Sequence, residues 1–283
     1  MLYVLLSICC SVAVSIMLKL AKRYHVDVLQ AITWNYSIAI VLTWLIFKPH
    51  WVNLDAAPIN ILGGLGILLP VLFVILAASV TKTGIVRTDV AQRLSLFIPI
   101  LASYFIFGEH LSLIKIAGIV VGLIAILCSI PWGKSGGKAT SGGWFYLLVV
   151  FVGMGVIDVL FKQLSAVKSV PYTSLLFMVF VLAFICAFIM LIIKIISGKT
   201  KFSFPHILIG WTLGVANFGN ILFYLKAHQA LVSKPSTVFT AMNIGVIVLG
   251  TLVGLFIFKE KLSTLNKVGI FLALIAVIVI FNF

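Results

Sequence analysis

Apolar runs of about 20 residues, broken by short polar stretches, recur along nearly the whole chain, and a helix needs roughly that length to cross a hydrocarbon core of about 30 Å. Ten such runs fit, at residues 2–21, 27–47, 57–78, 84–106, 113–131, 144–166, 172–196, 206–228, 235–258 and 263–281. The first, Leu2 to Ala21, lacks a basic n-region and an Ala-x-Ala-like cleavage site and is followed at once by further spans, so it reads as the first span and not as a leader. Gly133 to Gly143 (GKSGGKATSGG) is polar and rich in Gly and Ser, the composition of a flexible linker. It divides the chain into residues 1–132, a linker at 133–143, and residues 144–283, with five spans in each half.

The halves repeat one another. Phe105 to Leu127 aligns with Phe256 to Ile278 at a constant offset of 151, matching at 11 of 23 positions. FIFGEHLS matches FIFKEKLS, and the identities continue through Gly118 and Gly269 into Leu123-Ile124-Ala125 and Leu274-Ile275-Ala276. Coincidence at Phe, Glu, Ser and Gly together is not what two merely apolar helices produce. Met17-Leu18-Lys19 likewise lines up with Leu160-Phe161-Lys162. Five crossings per half place the second half upside down relative to the first, the inverted-repeat plan of many secondary transporters. The expected fold is therefore all-α, a polytopic membrane protein of ten transmembrane helices in two inverted five-helix repeats.

The duplicated five-span plan, the Gly-Glu or Lys-Glu plus Leu-Ser turn between the last two spans of each half, and the Gly that follows resemble the drug/metabolite transporter superfamily, specifically its ten-helix EamA-type members. The resemblance covers the whole chain. It implies a carrier whose cavity is lined mainly by spans one, three, four, six, eight and nine, with cytoplasmic termini. The second span departs from the pattern: Trp34-Asn35-Tyr36 stands near a position where such proteins often carry an Arg, and Asn35 is kept as a candidate lining residue.

Composition agrees with the pattern, at 63% hydrophobic and 9% charged residues and a mean hydropathy of +1.29, far from the roughly 25% charged content of soluble domains. The formal net charge of +14 is scattered through short loops, which points to membrane topology and anionic lipid and not to nucleic acid. Loops after odd-numbered spans hold 14 of the 20 Lys and Arg residues; by the positive-inside rule both termini then lie outside, opposite to what the resemblance implies. Cys9, Cys10, Cys128 and Cys186 all sit in apolar runs without metal or disulfide spacing, as small hydrophobes do. No metal or other cofactor is expected. Walker A, H-E-x-x-H and nucleophile-elbow sequences are missing, so the chain does not read as an enzyme or as an ATP-driven pump by itself.

Polar groups within the spans carry the functional expectation, because a charge at the bilayer centre costs at least about 2.5–3.5 kcal/mol. Asp158 and Lys162 in the sixth span share a face by i,i+4 spacing, and Asp89 and Arg93 repeat that spacing in the fourth. Each pair reads either as a substrate or proton site in a water-filled cavity or as an internal salt bridge. Asn217, Asn220 and Tyr224 share one face of the eighth span, and Gln92 and Asn243 are repeat equivalents at the offset of 151; amides offer donors and acceptors to a polar metabolite. Gly118 and Gly122, Gly210 and Gly214, and Gly250 and Gly254 read as packing pairs. Pro99 and Gly250 are equivalent mid-helix positions suited to hinges. Glu109 and Glu260 read as turn residues, and His228 as interfacial.

The functional expectation is a secondary-active exporter or exchanger of small organic metabolites, such as amino acids or related amphiphiles, working by alternating access in a bacterial or archaeal plasma membrane. Protons are a coupling ion to test, and a monomer or weak homodimer is expected. A channel, a membrane-embedded enzyme and a non-transporting structural partner are the rivals.

Overall fold

The structure is a computed structural model that describes residues 2–23, 26–49, 57–83, 85–129, 143–256 and 264–282. Every regular element in them is helical: α1 (Leu2–Arg23), α2 (Val28–Phe47), α3 (Ile59–Thr83), α4 (Ile85–Leu94), α5 (Phe97–Phe105), α6 (Leu113–Ser129), α7 (Gly143–Ala166), α8 (Tyr172–Ile196), α9 (Phe204–Ala230), α10 (Pro235–Phe256) and α11 (Thr264–Asn282). Six of these, α2, α3, α7, α8, α9 and α10, are by length and composition able to cross a membrane unaided. The described surface is covered by large apolar side chains such as Leu113, Ile196 and Phe105, as suits a protein solvated by lipid tails. The expected linker at 133–143 lies outside the described residues except Gly143, which opens α7; Glu260 lies outside them too.

The fourth span is two helices and not one. Pro99 has no N–H to give Ser95, and Ile98 N–H takes that carbonyl at 3.0 Å, while Leu96 N–H bonds Arg93 O at 3.3 Å. The Ser95 hydroxyl turns back to the Gln92 carbonyl, a local bond that competes with the helical ladder. The polar half α4 and the apolar half α5 therefore meet at residues 95–96. At the repeat-equivalent place α10 runs unbroken through Gly250, whose missing side chain faces open space.

Packing follows the repeat. α1 packs on α9 as α7 packs on α3, α2 on α9 as α8 on α3, and α1 on α10 as α7 on α4 and α5. The pairs α2 with α8 and α6 with α11 join equivalent helices across the pseudo-symmetry axis. Each half thus buries its apolar faces chiefly against the other. Small residues set the closest approaches. A Cβ on Gly210 would lie 2.6 Å from Trp34 Cβ, and one on Gly214 2.6 Å from the Asn35 carbonyl oxygen, so this pair presses α9 onto the backbone of α2. A Cβ on Gly122 would meet the tip of a side chain instead, Ile244 Cδ1 of α10 at 2.6 Å.

A polar clasp toward each membrane face ties a helix end of one half to the other half. On one face, Asp27 caps α2, accepting from Leu29 N at 2.9 Å and Gln30 N at 3.2 Å. Its other oxygen takes Lys194 Nζ at 2.7 Å and the Thr200 hydroxyl at 2.8 Å. Partial burial acts to raise the Asp27 pKa, but the bonds from Lys194, Thr200 and Gln30 outweigh it and hold the carboxyl below its usual range. On the face of the termini, buried Glu109 pairs with buried Lys115. It also accepts from Ser236 N at 2.8 Å and Ser236 Oγ at 2.6 Å, capping the start of α10 from the turn between α5 and α6.

Candidate functional site

The site is built where α7 crosses α9. Asp158 lies two turns before the end of α7, and Tyr224 of α9 donates its hydroxyl to Asp158 Oδ1 at 3.0 Å. The Tyr224 ring stands edge-on to Phe161 at 6.2 Å between centroids and to His228 at 4.7 Å. Phe239 of α10 closes the other side of His228 at 4.8 Å. The result is a carboxylate held by a phenol inside a wall of rings, with the polar atoms supplied by α7 and α9 and an aromatic side by α10.

Lys162, one turn beyond Asp158, does not pair with it. Its ammonium reaches the other way, to the Val232 carbonyl at 3.3 Å and over the Phe107 ring at 5.9 Å. The i,i+4 spacing thus puts the two charges on one stretch of α7 without joining them, because each side chain finds its partner on a neighbouring helix or loop. Lys162 is nevertheless buried.

The remaining sequence candidates divide. Asn220 joins α9 to α1, its carbonyl and side-chain oxygens both accepting from Ser7 Oγ, at 2.9 and 2.8 Å. Asn217 is buried and has no hydrogen-bond partner among the described residues. Asn243 turns its amide back to the Phe239 carbonyl of its own helix at 3.0 Å. Gln92 and Arg93 are half-buried at the end of α4, beside the break. Asn35 is not near Asp158: it sits in the α2–α9 seam against Gly214, ten residues or about 15 Å along α9 from Tyr224. Its Oδ1 is buried and unpartnered. Asp89 lies in α4, and its side chain is outside what the structure describes.

Three contributors were not legible as such. His228 is fully buried, with both ring nitrogens unpartnered among the described residues, so the interfacial reading is corrected. The signal for it was present, since 217, 220, 224 and 228 continue one helical face. Ser7 left no signal beyond a small polar residue in an apolar run. Glu109 is a cap, as expected of a turn residue, but it caps a helix of the opposite half. Two apolar grooves, one of about 430 Å³ between α5 and α7 lined by Ile98, Leu101 and Leu160, the other of about 340 Å³ between α3 and α8 lined by Ile67 and Ile189, run along the outside. Neither is lined by Asp158.

The polytopic helical body holds an intramembrane carboxyl between α7 and α9 of the second half, and its family match makes it a membrane transporter of the drug/metabolite type. The chain belongs to the EamA-like transporter family of the drug/metabolite transporter superfamily, whose pattern matches residues 1–130. An uncharacterized protein of Haemophilus influenzae (strain ATCC 51907 / DSM 11121 / KW20 / Rd) is 42% identical over 281 residues, covering 96% of this chain and 94% of that protein. A protein of known crystal structure shares the fold, with a TM-score of 0.75, 15% identity, and coverage of 98% of this chain and 94% of that one. The protein is thus an integral multi-pass membrane protein whose family carries small molecules in a lipid environment.

Proposed function

We propose that this protein is a secondary-active carrier of small organic metabolites, amino acids or related amphiphiles among them, in a bacterial or archaeal plasma membrane. It works by alternating access, the interleaved helices of the two halves exchanging one set of contacts for its symmetry mate. Asp158 is its working centre. The observation that carries this reading is the Asp158 carboxylate within a membrane-crossing helix, bonded to Tyr224 of a second helix, since intramembrane carboxylates are retained chiefly for substrate or proton handling. The broken fourth span, lying against Gly155 of α7 near residues 95–98, supports a movable wall beside it.

Proton coupling follows if Asp158 is protonated in one conformation and ionised in the other, because burial and hydrogen bonding then act oppositely on its charge. In reconstituted vesicles, with substrate found by a metabolite-panel uptake screen, Asp158→Asn is expected to leave the fold intact while transport, or its pH dependence, is lost between about pH 5.5 and 8.5. Wild-type rates across that range would make Asp158 a structural residue. Flux without saturation or counterflow would mark a channel instead.

A further inference from the structure

Lys162 of α7 is 3% exposed and His228 of α9 0% exposed, and the Lys162 ammonium reaches the carbonyl of Val232, four residues past His228, at 3.3 Å. An ammonium has three protons to donate, and Lys162 uses one, on the Val232 carbonyl at 3.3 Å. Glu109 stands two residues past Phe107, over whose ring the Lys162 ammonium lies at 5.9 Å, but its oxygens are committed to Lys115, Ser236 N and Ser236 Oγ. Of the buried ammonium groups Lys115 and Lys162, Lys115 holds that carboxylate and Lys162 has no ion pair among the described residues. His228 adds a ring with no partner on either nitrogen, which as a neutral imidazole has one N–H to give. The groups facing it are Tyr224 on its own helix, with Asp158 of α7 behind the Tyr224 hydroxyl, and Phe239 from α10. Unsatisfied buried donors of this kind are costly unless something occupies them.

We propose that Lys162 and His228 form an anion subsite that takes a carboxylate group of the transported molecule, one helical turn from Asp158. The subsite deepens the carrier reading above and rests on it. Lys162 supplies the charge and His228 a directed N–H, while the Tyr224 and Phe239 rings exclude water, so that a carboxylate is bound where an uncharged amide of the same shape is not. Asp158 remains apart, free to meet a cationic or protonatable group of the same molecule.

The test uses the purified full-length chain in detergent, with acetate and benzoate as probes against acetamide and benzamide at matched ionic strength. Thermal unfolding is expected to show a saturable rise in Tm of about 2–4 °C with the carboxylates and none with the amides. Lys162→Met should abolish the rise, and His228→Phe should weaken its midpoint severalfold. In the wild type, the ring 15N signals of His228, assigned by their loss in His228→Phe, should move as acetate or benzoate is added; this readout stands even where a variant fails to fold. No saturable carboxylate effect in the wild type, an equal effect of the amides, an unchanged effect in Lys162→Met, or unmoved His228 signals would each overturn the subsite. Failure of the carrier reading appears in the Asp158→Asn transport assay, and failure of the subsite in these titrations.

Discussion

At the scale of single residues, what a side chain does here depends on which neighbour it finds across the bundle. The two GxxxG-like glycines Gly214 and Gly250 are indistinguishable by sequence, yet they face opposite situations. A Cβ on Gly214 would stand 2.2 Å from Ile38 Cγ2 and 2.6 Å from the Asn35 carbonyl, whereas nothing lies within 4 Å of one on Gly250. Gly214→Ala should therefore destabilise by about 1–3 kcal/mol through forced separation of α9 from α2. Gly250→Ala should be neutral or stabilise by up to about 1 kcal/mol by relieving glycine's entropy in mid-helix. Unfolding of the two variants in mixed detergent gives both numbers, and equal destabilisation would contradict the seam described for α9. The same dependence explains Asp158 and Lys162: spacing placed them together on α7, and Tyr224 and Val232 drew them apart.

At the scale of elements, the two polar clasps hold helix ends of different halves together. Asp27 binds α2 of the first half to Lys194 and Thr200 of the second, and its carboxyl is held below the usual range by those bonds. A depressed carboxyl contributes stability that is complete above the unfolded value of about 3.9 and is lost as pH falls through the folded one. Asp27→Asn keeps the cap but not the charge, so the wild type should exceed it by up to about 1 kcal/mol at neutral pH. The gap should close below about pH 4, as read by unfolding of both proteins across an acid series; a gap that widens toward low pH would reverse the sign of this argument. Glu109 is more deeply committed, and its partner Lys115 is 2% exposed. Glu109→Gln should cost about 3–5 kcal/mol by leaving that ammonium buried and unpaired. Lys115→Met in the same chain should recover much of the loss, and a double-mutant cycle without coupling would show the pair to be incidental.

At the scale of the whole molecule, packing between halves dominates, so the chain is one interleaved body in which the equivalent contacts α1–α9 and α3–α7 lie at mirrored places. Alternating access in such a body exchanges one set of contacts for its symmetry mate. Ten crossings put the turn at His110 and the turn at Lys199 on opposite membrane faces, and both residues are exposed. In a cysteine-free background, His110→Cys and Lys199→Cys should differ in intact cells, one reacting with a membrane-impermeant maleimide and the other only after permeabilisation. Reaction of both in intact cells would refute the inversion. Which of the two reacts also decides between the charge balance of the loops and the cytoplasmic termini implied by the family. Two of the six cations on the face of the termini, Lys115 and Lys162, are buried in the protein, which sharpens the charge contrast between the faces.

That the chain is all-helical and polytopic, and the family it belongs to, were legible in the sequence, because membrane crossing depends on the length and apolarity of contiguous segments and a recurring turn motif leaves matching residues at a constant offset. The i,i+4 and 3-4 spacings also determined which residues share a face, including Asn217, Asn220, Tyr224 and, by extension, His228. Partnership between helices was decided only by tertiary structure. Whether Asp158 meets Lys162 or Tyr224, whether Asn35 joins the central cluster or the α2–α9 seam, and whether Glu109 merely turns the chain or caps α10 depends on which helices stand side by side. A periodicity along one helix has no term for the helix across from it, and burial of His228 arises from rings contributed 4 residues before it and 11 after.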